Sequence, residues 1–215
     1  FDPWLDLGAS GTIEGAGTLT LNGRFDWTGG TMQGVGGRTI LAPSSTVTIG
    51  YGNFIQRTID NQTTATFTGS AGHFQVGLNS VWNNPAGSLF DVKSESYYVY
   101  NPYGVPSTFN NAGILRRSSG NTGVWFDAVA NNTGSVEANA GTWQFRGGGS
   151  AGGSWSVANG ATLQFMGGVF ENDPTTTFSG AGRFLVAGGT LRLNSDESFD
   201  PWLDLGASGT IEGAG

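Results

Sequence analysis

The sequence predicts an all-β chain wound as a single-stranded parallel β-helix, a β-solenoid of roughly nine coils per 198-residue repeat, uncapped at both ends. Three observations carry this expectation. A segment of 17 residues occurs twice, short period-two strands alternate with glycine turns, and asparagines recur at about the length of one coil.

The repeat comes first, because internal repetition outranks other sequence signals. Phe1 to Gly17 reads FDPWLDLGASGTIEGAG, and Phe199 to Gly215 repeats it without a change at an offset of 199 − 1 = 198. The first copy runs on into Thr18-Leu19-Thr20-Leu21. Residues 1–198 therefore read as one complete unit and 199–215 as the start of the next, cut from a longer tandem array. The two copies are expected to adopt the same conformation, related by translation along the solenoid axis by the length of one unit, because a period of a whole number of coils returns the chain to the same angular position.

The strands come next. Gly17 to Leu21, Ser45 to Ile49, Thr64 to Thr68, Gly134 to Ala138, Thr142 to Phe145, Ala161 to Phe165 and Thr190 to Leu193 each alternate apolar with polar residues. Gly-Gly, Asn-Gly and Gly-Ala-Gly turns between them supply positive φ and stop each strand after four or five residues. With 38 glycines, abundant Thr, Ser and Asn and few Lys or Glu, the chain is poor in helix formers. Tyr97 to Pro106, with two prolines and a glycine in ten residues, reads as a loop thrown out from the wall.

Asn61, Asn84, Asn111, Asn132 and Asn159 supply the sub-period, at spacings of 23, 27, 21 and 27. A spacing near 22 to 25 is one turn of a β-solenoid, in which like positions stack. Asparagines at one corner then form an amide ladder, and the 26 aromatics form core stacks. At about 4.8 Å per stacked strand, one unit is on the order of 43 Å long.

The strings GAGTLTLNGRFDWTGGTMQG (Gly15 to Gly34), FNNAGILRRSSGNTGVWF (Phe109 to Phe126) and NNTGSVEANAGTWQFRGGG (Asn131 to Gly149) resemble the glycine-rich β-solenoid repeats of giant secreted bacterial surface and adhesin-like proteins. The resemblance implies export, surface display and parallel β-helix architecture. It carries no catalytic residue across.

Composition narrows the function classes. Nine Lys and Arg against 16 Asp and Glu leave a net charge of −7, with no basic stripe for nucleic acid. Cysteine is absent and His73 is the single histidine, which removes disulfides and the usual zinc shells. No apolar run approaches the roughly 18 to 20 residues that span a bilayer. There is no initiator Met and no signal-peptide pattern, as in an excised internal segment.

Few residues suggest chemistry. Asp2, Asp6 and Glu14, repeated as Asp200, Asp204 and Glu212 with Asp196 and Glu197 upstream, read as solvated turn charges, with Ca²⁺ binding or glycan cleavage as alternatives. His73 has an unperturbed pKa suited to a general base, but it lacks a neighbouring nucleophile or carboxylate in sequence and reads as a structural or surface histidine. Gly147 to Ser154 lacks the Gly-Lys-Ser/Thr ending of a phosphate loop and reads as a flexible coil corner. Tyr97, Tyr98, Tyr100 and Tyr103, with Trp4, Trp82, Trp125 and Trp155 on other coils, suit loop packing, lateral filament contact or glycan stacking. Asn61-Gln62-Thr63 and Asn131-Asn132-Thr133 match the glycosylation triplet, as chance matches in an Asn/Thr-rich chain.

The expected function is mechanical: an extracellular or cell-surface bacterial fibre, stalk or sheath, with no catalytic, cofactor or metal residue. The expected partners are successive identical repeats stacked head to tail, with lateral contact to other fibres and with neither nucleic acid nor a membrane span in this segment. The alternatives are an adhesin stalk that binds glycans or cells through Tyr/Trp loops and, last, a polysaccharide-degrading β-helix.

Overall fold

A computed structural model describes residues 4–213. Among these residues there are 27 strands and no helix, and every strand pairing is parallel. The strands stack into three walls that wind through about ten turns, so the chain is a parallel β-solenoid.

The first turn sets the pattern, with Trp4–Leu7 on the first wall, Thr12–Ile13 on the second and Thr18–Leu21 on the third. In the next two turns one long strand serves both later walls, Thr31–Leu41 and then Gly52–Asn61. Thr31–Leu41 bends at a register shift between Gln33 and Gly37. Four-residue strands dominate afterwards; the sixth turn consists of Ile114–Arg117, Gly123–Phe126 and Val129–Asn132. Every strand predicted from the alternation is present.

Burial follows the same alternation, since period two sends alternate side chains into the tube. Ser135–Ala138, Thr142–Phe145 and Thr162–Phe165 each bury their second and fourth residues. Inside, the aromatics touch from turn to turn. Phe90 meets Phe109 at 5.3 Å between ring centroids, Phe109 meets Phe126 at 5.4 Å, and Phe126 meets Phe145 at 5.3 Å. Phe145 then meets Trp155 at 5.4 Å, and Trp155 meets Phe165 at 5.5 Å. Each buried ring contributes about 1.5–3 kcal/mol, so cohesion is spread along the axis.

Three expectations change here. Tyr97 to Pro106 is not wholly a loop: Val99–Tyr100 is a strand of the second wall, with Val99 paired to Phe74 and Phe126. Val99 supplies an inward apolar position, which outweighs the nearby prolines. Gly147 to Ser154 is not simply a corner either, because Gly149–Ser150 forms the third wall of its turn. Gly149 has φ 134°, and a Cβ there would stand 2.1 Å from the Ala130 carbonyl oxygen, so only glycine fits.

The third correction concerns the duplicated segment. Trp4–Leu7 lies on the first wall against Arg24–Trp27, but its copy Trp202–Leu205 lies on the second wall against Arg183–Val186. Likewise Thr12–Ile13 is on the second wall, while Thr210–Gly213 is on the third, against Thr190–Leu193. Nine turns after Trp4–Leu7 the first wall is occupied by Phe199, bridged to Phe178, and Trp202 starts one wall later. The 198-residue offset therefore spans nine turns and one third. Turn length varies because the corners differ, and each wall accepts any four-residue strand with alternating inward side chains, so nothing forces a whole number of turns.

Candidate functional site

Asparagine builds the corner after the third wall. Register pairs Asn83 with Asn110 and Asn110 with Asn131, and so stacks Asn84, Asn111 and Asn132 one above another. The amide of Asn61 donates to Asn84 Oδ1 (2.8 Å), Asn84 to Asn111 Oδ1 (2.7 Å) and Asn111 to Asn132 Oδ1 (2.7 Å). The second N–H of each turns to the carbonyl that opens the first-wall strand following the next asparagine of the ladder: Leu89, Ile114 and Ser135, respectively. All four asparagines are buried. The ladder thus satisfies a corner that would otherwise bury unpaired carbonyls.

Asn159 is not part of it, being exposed in the turn between Ser154–Val157 and Thr162–Phe165. The column skips one turn at Ala151, which bridges Asn132, and resumes at Asn172, whose Oδ1 accepts the backbone N–H of Asn194. The string Asn172-Asp173-Pro174 and the 40-residue step from Asn132, two coils of about 20, were the signal for it.

A second, outward row runs beside the first. Asn83 donates to Asp60 Oδ1 (2.8 Å), Asn110 to Asn83 Oδ1 (2.9 Å) and Asn131 to Asn110 Oδ1 (3.1 Å). With Arg38, Gln62 and Thr133 this row lines an open groove of about 390 Å³. Each amide in the middle of the row spends one N–H and one lone pair on its neighbours and keeps one of each for the groove. The result is a line of donors and acceptors repeating about every 4.8 Å, able to hydrogen-bond the hydroxyls of a ligand laid along the axis.

The second wall carries an aromatic column outside. His73 stacks on Tyr98 at 4.9 Å, Tyr98 stacks on Trp125 at 4.5 Å, and the Arg146 guanidinium lies over Trp125 at 4.2 Å. Tyr97 and Tyr100 flank His73 at 5.2 and 5.4 Å. Tyr103 belongs to a segment that folds back on the fourth turn, where Leu78 and Asn79 donate to the carbonyls of Val105 and Pro106. Burial, with the Tyr51 phenol, raises the Tyr103 pKa.

His73 Nδ1 accepts the Tyr98 N–H at 3.0 Å, so the neutral ring carries its proton on Nε2. Burial lowers the His73 pKa, and the charge of Asp127 opposes that shift. Asp127 is held by the Asn101 N–H (3.1 Å) and by Arg146 (3.5 Å), and burial raises its pKa. The carboxylate whose charge reaches His73 is contributed two turns further on, by the residue that follows Gly123–Phe126.

The other candidates scatter. Trp82 and Trp155 are core residues, whereas Trp4 is exposed and Trp125 half-buried. Asp6 accepts from Thr28, Glu14 from Gln33, Glu197 from Asn172, Asp204 from Arg183 and Trp202, and Glu212 from Arg192. Asp196 and Asp200 are exposed, and Asp2 lies outside the described residues. Among the described residues no three His or carboxylate side chains converge on a point where an ion could sit. In the glycosylation triplets, Asn61 is buried in the ladder and the Asn131 amide is engaged by Asn110.

Two arginines were unforeseen as interior groups. Arg57 donates to the carbonyls of Gly15, Gly17, Gln33 and Arg38 and to Thr39 Oγ1, tying the first three turns together, and burial lowers its pKa. Arg117, fully buried, donates to the carbonyls of Ala140 and Thr122, and burial pulls its pKa to about 10 against the opposing charge of Glu95.

Wall, ladder and column define a parallel β-solenoid with polar and aromatic rows on its outer faces. Comparison with protein families, curated proteins and solved structures finds no significant match to this chain.

Proposed function

We propose that the chain is a structural tandem-repeat solenoid, a stretch of an extracellular or cell-surface fibre, stalk or sheath of bacterial type. The observation that carries this reading is the exact duplication of 17 residues at a 198-residue offset in a fold that extends by adding turns. In such a fold each turn contacts its neighbours above and below, so the rod lengthens by adding turns and no single residue carries the activity. The aromatic core and the asparagine ladder support it, because both run along the axis instead of surrounding one site. Nothing in this reading requires a reaction or a cofactor.

Electron microscopy of the native assembly, or of a chain carrying several 198-residue units, tests it. Smooth unbranched rods that lengthen by about 45 Å per added unit support the proposal. Compact particles that grow in width with added units overturn it.

The outer rows favour a second reading, an adhesin stalk that binds glycans. Stacked aromatics accept the C–H faces of sugar rings, and the Asn83, Asn110 and Asn131 row offers regularly spaced partners for hydroxyls. Glycan-array binding that is lost on substitution of Trp125 or Asn110 supports it, whereas rods that bind no glycan leave the mechanical reading alone.

A further inference from the structure

The two copies of the duplicated segment display its two opposite edges. The first copy shows what stacks above: Trp4 against Arg24, Leu5 against Phe25, Asp6 against Asp26 and Leu7 against Trp27. The second shows what lies below: Trp202 against Arg183, Leu203 against Phe184, Asp204 against Leu185 and Leu205 against Val186. Because the sequences are identical, the two views combine without conflict into one junction.

The combined junction is complementary. Arg24 lies over the Trp4 ring at 5.2 Å and reaches Asp26 at 2.7 Å, while Asp26 also accepts Trp4 Nε1 at 3.0 Å. From below, Arg183 pairs with Asp204, which accepts Trp202 Nε1 at 2.9 Å. One tryptophan strand is therefore bordered by an arginine on each side, with two aspartates to balance them. On the next wall, Glu14 accepts from Gln33 above (3.1 Å), and its copy Glu212 accepts from Arg192 below (2.9 Å). Inside, Leu203 meets Phe184 where Leu5 meets Phe25, so the apolar column passes through. Leu205 is 58% exposed, whereas its copy Leu7, stacked under Trp27, is 4% exposed.

We propose that this segment is the seam between consecutive units of one continuous solenoid, and that each seam turns the next unit by one wall. The proposal rests on the tandem-array reading above and adds its geometry. Since one unit spans nine turns and a third, equivalent surfaces return to the same side only after three units, 3 × 198 = 594 residues and 28 turns. The His73, Tyr98 and Trp125 column then faces a different side in each successive unit, so lateral partners meet the fibre from three directions.

The cysteine-free chain makes cross-linking a direct test. Neighbouring parallel strands stand about 4.8 Å apart, within the range a disulfide bridges. In the 215-residue chain, the pair Arg183→Cys/Trp202→Cys should oxidise to a cross-link, and Thr177→Cys/Trp202→Cys, the partners for a whole number of turns, should not. In a chain of two units (198 + 215 = 413 residues), Trp202→Cys should also cross-link to Arg24→Cys placed in the second unit. Locking of the Thr177 pair overturns the one-wall rotation while leaving a stacked array. Failure of the Trp202–Arg24 pair while the Arg183 pair locks overturns the seam. Failure of every pair in a chain that retains its β-sheet circular dichroism overturns the array itself.

Discussion

Asn111→Ala tests whether the buried amide ladder holds the turns in register. The substitution removes the bond from Asn84 (2.7 Å) and the two that Asn111 donates, to Asn132 Oδ1 (2.7 Å) and to the Ser135 carbonyl (2.9 Å). It leaves an Asn84 N–H and the Asn132 oxygen facing a site only 2% exposed, out of reach of bulk water. At about 1–3 kcal/mol for each of these two buried groups left unpaired, the loss is about 2–6 kcal/mol. The neighbouring Asn110→Ala is the control. Asn110 makes equivalent bonds in the outer row, but it is half-buried at an open groove, where water replaces them, and the loss should stay below about 1 kcal/mol. Guanidinium unfolding followed by tryptophan fluorescence reads both variants, at a slope unchanged from the parent. Equal losses, or an Asn111 loss below that of Asn110, would refute the ladder as a source of stability.

The remaining predictions concern the core, the inner corner and the single histidine. Trp155→Ala should cost about 3–5 kcal/mol and Trp4→Ala less than about 1, because the first is fully buried and the second 65% exposed; comparable midpoints in thermal unfolding would contradict this. Gly37→Ala should cost about 3 kcal/mol, since its Cβ would lie 2.2 Å from both the Arg57 guanidinium and the Gly15 carbonyl; relief by a second change, Arg57→Ala, would show that the Gly15 carbonyl is not the tighter contact. His73 should titrate below its usual 6.5, and Asp127→Asn should lower it further, because the carboxylate's charge is what opposes the shift; a rise in the single-histidine NMR titration on that substitution would exclude this charge effect. With a folded-state pKa below the unfolded one, the unfolded chain binds the proton first. This contribution to stability is therefore complete above pH 6.5 and is lost as pH falls through the lowered value.

The alternation of Thr142–Phe145 or Thr162–Phe165 specifies a strand and its inward face without any neighbour, since period two is a property of the backbone alone. Glycine turns that keep strands to four residues, together with asparagine near coil spacing, were enough for a parallel solenoid and for the members of the ladder from Asn61 to Asn132. Asn159 misled because spacing measures distance along the chain, and corners of unequal length convert the same distance into different angular positions. Val99 was concealed by its prolines for a related reason: one inward apolar residue suffices when the strands on both sides are already in place.

What the tertiary structure decided was the wall on which each strand lies. WLDLGASGTIEG carries all the information for a strand, a turn and a second strand, and it takes that form twice, yet on different walls. The inward pattern is the same for all three walls, so the segment cannot specify its own angular position; the summed lengths of nine turns of corners do. Stacking in register likewise lays Trp125 under Arg146 and carries Arg57 and Arg117 into the interior, where backbone carbonyls from other turns receive them.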